Sequence, residues 1–113
     1  MHTVQSEVSE LFSDRETNNI SLDELKVIVG PIASRYNVKR VYLFGSRARG
    51  DNGPDSDYDF FLVLDYDVVS LSELGSFMYD LETALGQRVD FAYDSMSENF
   101  KSSISEDMKL IYG

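Results

Sequence analysis

The chain contains no cysteine and no tryptophan, and His2 is its only histidine. Without cysteine there are no disulfide staples, no thiolate metal sites and no cysteine nucleophile. With its one histidine at position 2, catalysis by a core histidine base and histidine-rich metal sites are excluded as well. Basic residues are scarce: 10 Lys and Arg stand against 20 Asp and Glu, a net charge of −10 over 113 residues. Non-specific nucleic-acid binding depends on cations that neutralise phosphates, and anionic membranes attract cationic segments, so neither is an expected partner. Long apolar runs are missing too. The longest, Phe60 to Leu64, is far below the ~20 residues of a membrane-spanning helix. Met1 to Glu10 lack the basic start and apolar stretch of a secretory signal, so the expected compartment is the cytoplasm. Carboxylates and hydroxyls are left to carry any chemistry. An apolar content of 42% suffices for one small core, and the length fits one domain.

Two parts are expected: residues 1–20 as an N-terminal extension or helix, and residues 21–113 as the folded domain. In the first, Val4, Val8, Leu11 and Phe12 recur at helical spacing before the polar stretch Ser13 to Asn19, which reads as a linker. Ser21 and Glu24 form a capping box, and Leu22, Leu25, Ile28, Val29 and Ile32 follow at helical spacing. Gly30-Pro31 falls inside that pattern and should kink the helix or restart it near Ile32. Val41 to Phe44 reads as a buried strand closed by Gly45, and Tyr58 to Leu64, after the turn-rich Gly50 to Ser56, as a central strand. Leu71, Leu74, Phe77, Met78, Leu81 and Leu85 make one helical stripe with Gly86 as its stop. Arg88 to Tyr93 gives a third strand, and Phe100, Ile104, Met108 and Ile111 suggest a last helix. The expected order is helix, strand, strand, helix, strand, helix: an α/β (α+β) domain with a small mixed sheet flanked by helices.

The chemistry concentrates in two segments. A strand ending in Gly45-Ser46 and turning into a short helix presents backbone N–H groups to an anion, and glycine lets a phosphate approach the main chain. Arg49 lies three residues on, where its planar fork reaches a phosphate oxygen, whereas Arg47 points elsewhere. Asp57 and Asp59, two apart at a strand entrance, share one face with Tyr58 on the other, their Cα atoms roughly 7 Å apart. Such a pair suits Mg²⁺, which takes one or two carboxylates plus substrate phosphates. Asp90 lies in an apolar strand, where an acid is costly unless paired or metal-bound; if the strands are neighbours, it completes a cluster that calls for a cation.

Gly45-Ser46, ten intervening residues, Asp57-x-Asp59 and a later Asp90 together resemble the DNA polymerase beta-type nucleotidyltransferase superfamily, in particular its small stand-alone branch, the minimal nucleotidyltransferases. The resemblance runs from about Ser21 to Tyr112 through Leu43 to Gly50, Pro54 to Asp59 and Gly86 to Asp90. It implies the polymerase beta-type fold, with Gly45 and Ser46 holding the phosphates of a nucleoside triphosphate and Arg49 assisting. It also implies Asp57 and Asp59 coordinating two Mg²⁺ ions, with Asp90 binding one metal and activating an attacking hydroxyl. The implied reaction transfers AMP from ATP and releases pyrophosphate. Members of this branch accompany HEPN-type ribonuclease toxins as antitoxins, so the implied acceptor is a tyrosine of such a partner. The alternatives are a non-catalytic antitoxin that neutralises by binding alone and a transferase with a small-molecule acceptor. Homo-oligomer formation is left open by the sequence.

Overall fold

The computed structural model describes residues 20–113; the expected helix or arm before Ile20 lies outside the described residues. Helix α1 (Leu22–Ala33) starts at the Ser21 capping box: the Ser21 hydroxyl accepts from the Glu24 amide at 3.1 Å, and the Glu24 carboxylate accepts from the Ser21 amide at 3.3 Å. Pro31 neither breaks nor restarts it; the helix runs through Gly30-Pro31 and stops at Ala33, only two residues beyond the proline. Strand β1 (Val38–Phe44) leads through Gly45 into the single turn α2 (Ser46–Arg49). Strand β2 (Tyr58–Leu64), helix α3 (Leu71–Leu85), strand β3 (Val89–Tyr93) and helix α4 (Glu98–Ile104) follow.

The chain then departs from the expected order. Lys109–Tyr112 is a strand, β4, instead of the end of the last helix, which closes at Ile104. Met108 and Ile111 do continue the apolar spacing of Phe100 and Ile104. The open edge of β1 nevertheless offers a ladder of backbone partners, and β4 pairs with it antiparallel, burying Ile111 in the core.

The sheet order is β3-β2-β1-β4. β1 runs antiparallel to both neighbours, and β2 and β3 are parallel, linked by α3 in the crossover that parallel strands require. β2 is central, as its doubly apolar second half requires. Leu25, Val29 and Ala33 of α1 and Phe77, Leu81 and Leu85 of α3 pack with Val41, Leu43, Tyr58, Phe60, Leu62, Val89 and Ile111 to form the core on one face of the sheet. By strand alternation, Asp59 and Phe61 face away from that core. On this second face Phe100 of α4 meets the Phe44 ring edge-on, with centroids 6.1 Å apart.

Gly75, exposed in the middle of α3, has open space where a Cβ would stand. Gly75→Ala is therefore expected to raise stability by roughly 0.5–1 kcal/mol, read as a higher midpoint in urea with unchanged slope.

Candidate functional site

Two backbone registers gather the site at one end of the sheet. Asp59 pairs with Phe44, the residue before Gly45, across β1 and β2, and with Asp90 across β2 and β3. It therefore sits between the Gly45-Ser46 turn and the third acid. Asp57 precedes β2 by one residue, and the next residue, Tyr58, is 2% exposed within the core. Gly45 adopts φ 78° and ψ −158°, a conformation essentially confined to glycine. A Cβ at this position would meet the Asp59 side chain, 3.3 Å from its Cβ, 3.2 Å from its Cγ and closer still to Oδ2. Missing side-chain atoms at Gly45 thus make the room that the Asp59 carboxylate occupies. The α2 turn begins directly after, with the amides of Ala48 and Arg49 both donating to the Gly45 carbonyl at 3.1 Å.

The acids respond to one another. Partial burial, followed by the negative charges of Asp90 and Asp57, raises the Asp59 carboxyl above its ordinary range, and Arg49 opposes that rise. Asp90 is raised as well, by desolvation and then by the Asp57 carboxyl within hydrogen-bonding reach of it, with Arg88 opposing. Asp90 is nonetheless exposed. The cost expected of an acid in an apolar strand is thus smaller than the sequence suggests, because Asp90 occupies an exposed position of β3. Among the described residues no three acidic or histidine side chains close around a single point to hold an ion on their own. The donors are all oxygen and mutually repelling. This suits a hard cation whose remaining positions are filled by phosphate oxygens, the usual arrangement for Mg²⁺.

Arg49 lies near enough to Asp59 for its charge to register there, but its guanidinium is already engaged. Nε donates to Asp51 at 3.1 Å and Nη1 to Asp107 at 3.2 Å, contacts that hold it firmly protonated. To reach a phosphate it would exchange one of these pairs, which solvent screens and makes easy to part.

Arg47 is turned onto the loop ahead of β2. Its Nε donates to the Ser56 carbonyl at 2.9 Å and Nη2 to the Pro54 carbonyl at 3.4 Å, while the guanidinium lies 4.2 Å from the Tyr58 ring centroid. Gln87 reaches the same Pro54 carbonyl at 3.1 Å. Both side chains hold the loop that carries Asp57, and neither was identified from the sequence. Their targets are main-chain carbonyls distant in sequence, which leave no residue-type signal.

A family model for the nucleotidyltransferase domain matches residues 25–111. A protein of Methanocaldococcus jannaschii named "Putative protein adenylyltransferase" is 36% identical over 86 residues, covering 75% of this chain and 91% of the relative. Among solved structures, a "putative minimal nucleotidyltransferase" superposes with a TM-score of 0.68 at 26% identity, covering 80% of this chain and 95% of the other. A structure described as a toxin–antitoxin with AMP-PNP shares the fold with a TM-score of 0.65 at 22% identity, covering 83% and 74%. No helix among the described residues is long and apolar enough to cross a membrane. With the family model spanning most of the domain and the signature residues converging at one end of its sheet, the chain belongs to the nucleotidyltransferase domain family and is a nucleotidyltransferase.

Proposed function

We propose that this protein transfers AMP from ATP to a hydroxyl of a partner protein, a tyrosine of a HEPN-type toxin, and thereby acts as its antitoxin in the cytoplasm. The observation that carries the reading is the placement of Asp59 between the Gly45-Ser46 turn and Asp90. It puts an anion cradle and a cation-seeking pair side by side. The name of the M. jannaschii relative supports a protein acceptor, and the toxin–antitoxin neighbour, alike in fold, agrees with a toxin partner. The net charge of −10 suits a basic, RNA-cleaving partner better than a nucleic-acid acceptor.

In this reading the domain is residues 21–113. Gly45 and Ser46 receive the triphosphate, and Arg49 swings from Asp107 or Asp51 to a phosphate oxygen. Asp57 and Asp59 hold two Mg²⁺ ions, with Asp90 sharing one of them. When bound, the ions neutralise charge on the phosphates and on the attacking and leaving oxygens. The acceptor oxygen forms its bond to the α-phosphorus as the bond to the β-phosphate bridging oxygen breaks. Asp90 takes the hydroxyl proton, and pyrophosphate leaves with the electron pair of the broken bond. Asp90 is the fitting base because its carboxyl is exposed to an incoming hydroxyl. Positioning and charge stabilisation suffice for such a transfer, which explains a site built without histidine or cysteine.

Neutralisation of the partner's ribonuclease activity tests this reading. It is expected to require Mg²⁺ and ATP and to persist after the two chains are separated. Neutralisation by stoichiometric mixing without nucleotide would instead establish an antitoxin that acts by binding alone. Ser46→Ala is expected to raise KM for ATP by about 10–100-fold, from the loss of one hydrogen bond to a charged phosphate, with partner binding unchanged. Equal loss of both would contradict the phosphate role.

A further inference from the structure

We propose that Arg47 and Gln87 are positioning residues of the site: converging on the loop ahead of β2, they set where Asp57 stands relative to Ser46 and Asp90. The inference rests on the metal-binding reading of the acids. It goes beyond that reading by assigning a role to two side chains that touch neither metal nor nucleotide.

Asp57 is fixed through its neighbours on both sides. Behind it, the Ser56 carbonyl accepts from Arg47 Nε at 2.9 Å; ahead of it, the Tyr58 amide donates to the Arg88 carbonyl at 2.9 Å. The Pro54 carbonyl receives both Arg47 Nη2, at 3.4 Å, and Gln87 Nε2, at 3.1 Å. One donor comes from α2, which carries Ser46. The other comes from the link into β3, which carries Asp90. This single loop is therefore tied to the two other segments that supply the site. Within the loop, the Ser56 hydroxyl accepts from the Gly53 amide at 2.9 Å, keeping Pro54 and Ser56 in one turn that moves as a unit. Stacking of the Arg47 guanidinium 4.2 Å from the Tyr58 ring centroid, and the burial of that ring, anchor the clamp to the core. Such a tie is needed because Asp57, Asp59 and Asp90 are gathered at one end of the sheet as like charges. A free loop would relax outward and separate them.

Gln87 allows charge and clamping to be separated. If Gln87 acts only through the local field, Gln87→Glu tightens binding of a divalent cation at the acids and Gln87→Lys weakens it. If it acts by donating to Pro54, Glu, which has no donor to offer, weakens binding, and Lys, which retains one, preserves it. The experiment measures Mn²⁺ in the presence of a non-hydrolysable ATP analogue, against the analogue without protein, by loss of the free-ion electron paramagnetic resonance signal, together with amide hydrogen exchange of residues 53–58 and thermal melting. Gln87→Glu is expected to weaken Mn²⁺ binding about 2–10-fold and Gln87→Lys to stay near wild type, as befits one hydrogen bond. Arg47→Ala is expected to speed exchange in the loop about tenfold or more and to weaken Mn²⁺ by a similar factor, with Arg47→Lys in between. Unchanged loop exchange in Arg47→Ala would overturn the clamp. Faster exchange with wild-type Mn²⁺ affinity, or tighter binding in Gln87→Glu, would overturn the positioning role. Wild-type Mn²⁺ binding that is absent, or indifferent to Asp57→Asn with Asp59→Asn, would instead overturn the metal reading, and the positioning role with it.

Discussion

Asp57→Asn combined with Asp59→Asn is expected to abolish nucleotidyl transfer, a loss of at least about 10³-fold, while the metal-free protein melts at the same temperature as wild type or higher. Catalysis of this kind rests on charge placed where it develops, so removing the cation's ligands removes most of the acceleration. Stability moves the other way because the acids repel one another. Asp59 and Asp90 both have folded-state carboxyls raised above their ordinary range, Asp59 by burial and then by Asp90 and Asp57, Asp90 by burial and then by Asp57. A raised carboxyl favours the folded state below the unfolded pKa of about 4 and forfeits that advantage as pH rises through the folded value. At neutral pH the metal-free wild type therefore carries the full electrostatic cost, and the double variant is relieved of much of it. Mg²⁺ is expected to raise the melting temperature of wild type at pH 7 and to leave the variant unmoved. A variant that melts well below wild type without metal would show the two aspartates to be structural.

Gly45→Ala is the second substitution with a large expected effect. At φ 78° and ψ −158° a side chain costs roughly 1–3 kcal/mol in backbone strain alone. Its Cβ would also be forced onto the Asp59 carboxylate, whose Cγ lies 3.2 Å away and whose Oδ2 is nearer. Asp59 must turn aside or the strand end must shift, and either change separates the turn from the acids. The expected outcome is a loss of transfer of about 10²-fold or more, as a misplacement of about 1 Å can produce. A double-mutant cycle isolates the collision. In an Asp59→Ala background, Gly45→Ala should cost only the backbone share, leaving a coupling of about 1 kcal/mol or more between the two positions. Additive costs would show that the close approach of Asp59 to the turn has no energetic consequence.

Much of this site is legible in the amino-acid sequence because its chemistry is written in residue types at short range. Gly45-Ser46 at a strand end, and Asp57 and Asp59 on either side of the apolar Tyr58, need only strand alternation to be read. Asp90 required one assumption, that β2 and β3 are neighbours, and the parallel register places it opposite Asp59. The Ser21 and Glu24 capping box likewise marks the start of α1 through contacts three residues apart. Features that escaped are those decided by distant partners. Lys109 to Tyr112 is too short for its period to separate strand from helix, and only the free edge of β1 settles it. Arg47 is read from the sequence only as pointing away from the face of Arg49. Its partners, the carbonyls of Pro54 and Ser56, come into reach only when the loop folds back over α2. For Arg49, residue type marked a cation at the turn that could reach a phosphate, but it could not reveal the competing acids Asp51 and Asp107.

Transfer itself is the central claim, and label from ATP tests it most directly. The protein is incubated with α-labelled ATP and Mg²⁺, with and without a HEPN-type partner, and both chains are then weighed intact. The account predicts a gain of one AMP on a tyrosine of the partner, lost when Asp57 and Asp59 are replaced by asparagine. A partner that binds tightly yet gains no mass, with label transferred to no acceptor, would contradict it.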